Sequence, residues 1–181
     1  QDQNTIDVGK GSAIMSQPLY VKITGATQGE ITKGAFTADS VGNIYQEGHE
    51  DEAFCQSLAY HVTLPRDPQS GQVTGQRVHM PAKLIKYVDK SSPLLLSAIA
   101  AGEVLQIEAT FYRTSTQGRQ EKYYTVKFTD VVAVEYKAHT PVALDPANAP
   151  YRDMDELAFT YRKIDVTHDI AGTAGSDDWR K

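Results

Sequence analysis

Apolar residues recur at every second position on both sides of a polar turn between Leu105 and Tyr136, and no other pattern in the 181-residue chain restricts its fold so tightly. Leu105, Ile107, Ala109 and Phe111 alternate with polar neighbours. After the Gly-containing stretch from Arg113 to Arg119 the alternation resumes with Tyr124, Val126 and Phe128 and continues past Asp130 through Val132, Val134 and Tyr136. A two-residue period places these side chains on one face of a pleated strand. The polar stretch between the runs reads as a long hairpin loop. Directly before it, Asp89-Lys90-Ser91-Ser92-Pro93 predicts a helix start, with a serine hydroxyl offered to the free N–H groups and a proline that has none to satisfy. Gly102 supplies the left-handed stop. Leu95, Ala98 and Ile99 form its core stripe, and a helix this apolar is expected to be covered on more than one side.

The remaining strands are shorter. Leu19, Val21 and Ile23 alternate with Tyr20, Lys22 and Thr24, and residues 28–32 read as a short continuation. From Phe54 the pattern sets Phe54, Leu58, Tyr60, Val62 and Leu64 on a bulky apolar face and Cys55, Ser57, Ala59, His61 and Thr63 on a small polar one. Val78, Met80, Ala82 and Leu84 mark a strand running towards Val88. Leu157, Phe159 and Tyr161 give way to Ile164 and Val166 with a change of parity, which predicts a β-bulge. Between them lie loops at Phe36–Glu52, Pro65–Gln76 and Ala143–Pro150, the first two long enough to be expected to carry function. The segment from His168 to Trp179 closes the pattern. About seven strands with one short helix predict a mainly β fold: a compact antiparallel β-barrel or two-sheet fold with a single short flanking α-helix over about 92–101.

Residues 1–14 are polar, Gly-rich and begin with Gln, unlike the strand-patterned chain beyond them. They read as a remnant foreign to the domain, with Met15 as the natural start and 15–181 as one domain; a genuine N-terminal arm is the alternative. Net charge is −5, and no basic cluster provides the footprint that a nucleic-acid partner requires. The lone Cys55 excludes an intrachain disulfide framework. No apolar run approaches the roughly 18 residues of a membrane span, and the N-terminus lacks the pattern of a secretory signal.

No catalytic, metal or cofactor constellation emerges. His49-Glu50-Asp51-Glu52 has Ala53 where the helical zinc motif needs its second histidine, so it reads as a solvated acidic loop. His61 and His79 sit on polar strand positions, without a second ligand type nearby in sequence. Cys55 and His61 would be roughly 20 Å apart on one strand. Nucleophile elbows and phosphate-binding or dinucleotide fingerprints are missing. The residues alone describe a β-rich, non-enzymatic protein whose surfaces suit an assembly subunit and fit an ordinary solvated β-domain equally well.

Several motifs in order resemble the Hcp family (haemolysin co-regulated protein), the tube-forming component of bacterial type VI secretion systems. They are Tyr20-Val21-Lys22-Ile23, Gly48-His49-Glu50-Asp51-Glu52 before Phe54, and Val88-Asp89-Lys90-Ser91-Ser92-Pro93-Leu94-Leu95. Phe111-Tyr112-Arg113-Thr114, Tyr123-Tyr124-Thr125-Val126 and Thr167-His168-Asp169-Ile170-Ala171-Gly172-Thr173-Ala174-Gly175 with Trp179 complete the set. The resemblance implies a β-barrel subunit that assembles as a homohexameric ring. Rings stack into the inner tube of a phage-tail-like machine, surrounded by a contractile sheath, capped by a spike protein of the valine-glycine repeat type and able to carry small effector proteins. It also implies cytoplasmic synthesis and export through that machine without a signal peptide. With the chain running only to Lys181, no toxin extension is expected.

Ring closure needs two different complementary surfaces on each subunit. The small polar face with Ser57, Ala59 and His61, or its counterpart on the central hairpin, is expected to look towards the lumen. Asn43, Gln46, His49 and Glu50 in the first loop and Asp67, Gln69 and Gln72 in the second are expected to serve ring stacking or partner contacts. Two other classes make opposite demands. A monomeric barrel or sandwich binding a small ligand or glycan requires a deep apolar pocket, and a secreted hydrolase requires His49, His61 or His168 to converge with carboxylates.

Overall fold

The two runs of the central alternation become the long strands on which the rest of the chain closes. In the computed structural model, which describes Gln17 and residues 19–180, the strands in order are β1 (Leu19–Gly25), β2 (Gly29–Glu30), β3 (Ala53–Ala59), β4 (Val62–Thr63), β5 (Val78–His79) and β6 (Ala82–Tyr87). They continue as β7 (Val104–Thr114), β8 (Gln120–His139), β9 (Met154–Thr160), β10 (Lys163–His168) and β11 (Thr173–Asp178). The helices are α1 (Ala38–Val41) and α2 (Ser92–Ala101). The readings of residues 1–14 and Met15 lie outside the described residues.

Strands β8, β7, β1, β3, β6 and β9 are neighbours in that order, and β9 pairs back with β8 to close an antiparallel barrel. Closure removes the exposed edges of an open sheet. The expected barrel with one flanking helix is therefore what forms, with more strands than the sequence pattern implied. β10 and β11 extend the sheet from the first half of β8, while β4 and β5 form a separate two-stranded sheet. Phe128 sits fully buried in the core with its ring 5.1 Å from Phe159 and 4.9 Å from Tyr161.

β8 serves two partners because its backbone turns at Asp130, whose φ is +51°. Through Thr129 it pairs with β10, and from Val132 it pairs with β9. An aspartate tolerates this left-handed conformation better than most residues. The chain crosses from β9 to β10 opposite this corner: the Arg162 N–H donates to the Thr129 carbonyl at 3.0 Å, and its Nε donates to Asp130 Oδ2 at 2.6 Å. The corner also flips the side-chain parity. Val126 and Phe128 point inward before it, Val131 and Ala133 after it, and Val134 is left 51% exposed. The expected unbroken stripe through Val132 and Val134 is corrected accordingly. The parity change between Tyr161 and Ile164 is likewise the break between two strands at this corner, not a bulge within one.

A register shift between Cys55 and Ser57 similarly splits the faces expected for β3. Ala53 and Cys55 belong to the core, and Leu58 turns inward only after the shift. Phe54 lies on the other side, stacked on Phe36 at 5.5 Å and Tyr87 at 5.7 Å. Burial pushes the Cys55 thiol well above its ordinary range, which leaves no nucleophile there. The strand ends at Ala59 instead of reaching Leu64.

Residues 60–80 leave the barrel as an arm. Val62 pairs with His79 and Thr63 with Val78, an isolated bridge joins Arg66 to Val73, and the Asp67 N–H donates to the Gln72 carbonyl at 2.8 Å. Pro65–Gln76 is thus the far end of a hairpin, and the strand expected from Val78 to Val88 breaks before Ala82, next to Pro81, which has no N–H to give a ladder. Phe36–Glu52 is not an open loop either: Phe36 is buried, and α1 with a 3₁₀ turn at Gly42–Ile44 comes after it.

The start of α2 is held by charge, with no side-chain cap from Ser91. Buried Lys86 on β6 donates to Asp89 Oδ1 at 2.9 Å, Ser92 Oγ at 3.0 Å and Asp155 Oδ2 at 3.1 Å. Asp89 also accepts the Ser91 N–H at 2.8 Å, which fixes the turn that the Asp-Lys-Ser-Ser-Pro motif builds. The helix is covered on one side: Leu95 and Ala98 are buried, whereas Leu96 is 54% exposed. Leu94 is also exposed, so the expectation of cover on more than one side does not hold for the single subunit.

Candidate assembly surfaces

Pairing register places a ladder of charge across the outer face of β1, β7, β8 and β10. Lys22 lies opposite Glu108, Glu108 opposite Lys127, and Lys127 opposite Asp165. Glu30 meets Lys22 at 3.3 Å and Lys163 meets Asp165 at 2.8 Å, so the ladder ends in pairs of its own. Directly opposite cross-strand charges of unlike sign stabilise a sheet and cancel at a distance. The next row is Thr110, Thr125 and Thr167. This face is self-neutralised, and of its threonines Thr125 and Thr167 are half-buried while Thr110 is buried.

The segment 36–52 straps the neighbouring end of β1. His49 stacks on Tyr20 at 3.7 Å with an interplanar angle of 3°, and its Nδ1 lies 2.7 Å from Glu52 Oε2. The Tyr20 hydroxyl donates to Gln46 Oε1 at 3.0 Å. Burial, with the Glu52 carboxylate nearby, pushes this hydroxyl up to about 12. Glu50 accepts from the Tyr45 hydroxyl at 3.1 Å and the Gly48 N–H at 2.9 Å, and Asn43 accepts from Arg152 Nη2 at 2.8 Å. The four strap residues singled out in the sequence therefore all hold the strap itself. His49 is not the solvated turn residue that the acidic run implied, but half of a stacked aromatic pair.

The other loop residues lie elsewhere, at the tip of the arm. Asp67 accepts the N–H groups of Gln69 and Ser70 at 2.7 and 2.9 Å, and Gln69 and Gln72 are exposed. Ser57, Ala59 and His61 are exposed where β3 passes into the arm. Strap and arm tip are separate features built by different elements.

The arm is anchored by a cluster that no sequence spacing announced. His79 Nε2 lies 2.7 Å from Asp177 Oδ2, and its Nδ1 lies 2.9 Å from the Tyr161 hydroxyl. A carboxylate only accepts, so Nε2 carries the proton that meets Asp177. The imidazole stacks on Trp179 at 5.4 Å and 11°. Arg77 binds Asp177 through Nε and the Asp178 carbonyl through Nη2. This hydrogen bond from Arg77 holds the Asp177 carboxyl below the usual carboxylate range. With its side chain 1% exposed, His79 has no room to act on a substrate, and the dyad is structural.

Apolar side chains are exposed elsewhere: Val62, Leu64, Val73, Val78 and Met80 on the arm, and Leu94, Leu96 and Val104 at α2. Val142, Leu144 and Tyr151 add a third patch beside a cleft of about 330 Å³ lined by His139, Pro141 and Met154. Scattered apolar residues are ordinary, but contiguous ones mark contact sites. Of the histidines demanded by a hydrolase, His49 does meet a carboxylate, Glu52, but it is stacked on Tyr20 within the strap. His168 Nδ1 accepts the Ala171 N–H at 3.0 Å, and no group of three or more metal-ligating residues forms among the described residues. No helix among them is long and apolar enough to cross a membrane.

Residues 20–168 match the family described as "Type VI secretion system effector, Hcp". The "Major exported protein" of Pseudomonas aeruginosa is 53% identical over 167 residues, 92% of this chain and 97% of the relative. A solved structure described as "Crystal structure of Hcp protein" superposes with a TM-score of 0.87 at 41% identity, over 92% of this chain and 99% of the other. The "Secreted protein Hcp3 from Pseudomonas aeruginosa" superposes with a TM-score of 0.78 at 44% identity, over 92% of this chain and all of that one (100%).

Proposed function

Because the chain belongs to the Hcp family of type VI secretion effectors, we propose that it is a subunit of the secretion inner tube, closing with identical copies into a six-membered ring that stacks on others and is exported. The observation that supports this most directly is the division of its surface. One broad sheet face carries the self-neutralised ladder from Lys22 to Asp165, while exposed apolar side chains fall on the arm, α2 and the segment around Tyr151. A ring needs such a division: apolar patches to meet the next copy, and a hydrated wall along which cargo slides.

In this reading the lumen is lined by the polar face of the central hairpin, the second of the two faces named from the sequence. Ser57, Ala59 and His61 take the rim, where β3 gives way to the arm. The arm with Asp67, Gln69 and Gln72 and the strap with Asn43, Gln46, His49 and Glu50 serve ring-to-ring or partner contacts. The spike protein, the sheath and small effectors are the further partners. Export proceeds through the machine, in keeping with the relative called a major exported protein. The subunit acts by assembly and not by catalysis.

Native mass spectrometry with electron microscopy tests the reading. A six-fold mass and annular particles are expected. A persistent monomer at high concentration overturns it, and a monomer that also takes up a small ligand or glycan at the cleft beside Tyr151 favours the binding-module class instead.

A further inference from the structure

The arm cannot hold its own pose. It joins the barrel at Tyr60 and Pro81, and between them it is a lone two-stranded hairpin, held by the β4–β5 ladder, one bridge and backbone hydrogen bonds such as Met80 to His61 and Thr74 to Pro65. An isolated two-stranded hairpin is marginal in water. The direction in which the arm leaves the barrel must therefore be supplied by something outside it.

The geometry points to Asp177, Asp178 and Trp179 as positioning residues: they clasp the arm in a fixed pose, and through that pose they govern whether it can make contacts between rings. On one side, Asp177 takes both His79 and Arg77, and Trp179 offers its ring face to His79. On the other, Asp178 accepts from Arg162 Nη1, the residue that pins the Asp130 corner. Trp179 itself is fixed, its Nε1–H donating to the Tyr161 carbonyl at 2.6 Å and its backbone N–H to the Arg162 carbonyl at 3.2 Å. Three consecutive residues thus bridge the arm and the barrel's corner. The clasp leaves Val62, Leu64, Val73 and Met80 exposed, so it orients the arm without covering its apolar side chains. Two hydrogen bonds and a stacked ring at a side chain as buried as His79 restrict its rotation as well as its position.

The stacking consequence rests on the tube reading above, whereas the clasp itself does not, and one set of variants separates the two. Asp177→Asn and Trp179→Ala, with Trp179→Phe as the conservative replacement, are compared by amide hydrogen exchange over residues 61–80 and 104–114, native mass and the length of ring stacks in electron micrographs. In Asp177→Asn and Trp179→Ala, exchange in 61–80 is expected to rise roughly ten-fold or more while 104–114 stays protected. The six-fold mass is expected to persist, and stacks to shorten several-fold. Trp179→Phe, which keeps the ring face for His79, is expected to restore arm protection and stack length together. Unchanged exchange in the arm overturns the clasp. A loosened arm with stacks of full length overturns its role in stacking. Wild-type protein that never forms rings would instead remove the tube reading, with the exchange result still deciding the clasp.

Discussion

Lys86 shows how one residue can organise a barrel end. Its ammonium is buried between two carboxylates, Asp89 and Asp155, and it reaches Ser92 at the start of α2. Replacing Lys86 by Met leaves both carboxylates buried without their counter-charge, and is expected to cost about 3–5 kcal/mol of stability, read as a lower guanidinium midpoint. Asp177 makes a pH prediction. Its carboxyl is held below the usual carboxylate range, first by the hydrogen bond from Arg77. A depressed native value means that its stabilisation is complete above the unfolded value of about 3.9 and is lost as pH falls through the native one. Trp179 is the sole tryptophan and stacks on His79. Its fluorescence reports unfolding, and the wild type is expected to lose stability below about pH 3.9 through the Asp177 carboxyl while Asp177→Asn lacks that loss; identical acid profiles for the two would contradict the assignment. Neither residue declared its role in sequence. Lys86 reads as an ordinary strand lysine, and His79 is separated from Tyr161 by 82 positions and from Asp177 by 98.

Elements were more legible than residues wherever local pattern decides them. The alternation on both sides of the polar turn defined β7 and β8, and Pro93 with Gly102 bounded α2. What stayed hidden were the places where a strand changes allegiance. The Asp130 corner needs no glycine or proline, so nothing in the run from Phe128 to Val132 marks it, and side-chain parity was carried one residue too far. The arm was hidden for a similar reason, because its apolar residues continue the alternation of β3 although they face water. The helix α2 separates core from contact within two neighbours. Leu95→Ala is expected to cost about 2–5 kcal/mol. Leu96→Ala is expected to lie within about 0.5 kcal/mol of wild type, with any loss appearing in ring mass and not in the subunit's unfolding. Equal destabilisation of the subunit by both would contradict the placement of Leu96.

For the whole molecule, the proposed ring would close through the exposed apolar side chains, since the broad sheet face pairs its own charges. The ladder from Glu30 to Asp165 pairs its own signs, so added salt finds little to screen. The proposed six-fold ring is accordingly expected to survive a rise from about 0.1 to 1 M sodium chloride in light scattering; dissociation into monomers would show that ion pairs between copies hold it. The broad architecture was readable because a two-residue period and few helices leave little choice but a closed β-fold. The assignment of faces was not, because it depends on corners and register shifts that act at single residues.

The clasp also has a temporal side. Among the described elements, β11 with Trp179 emerges last from the ribosome, after the arm and the strands of the barrel. The strands that close the barrel therefore precede, in order of synthesis, the residues that hold the arm. Fastening waits until Asp177, Asp178 and Trp179 are made. On the tube reading, a subunit whose arm is not yet fastened would lack the pose for contact with another copy.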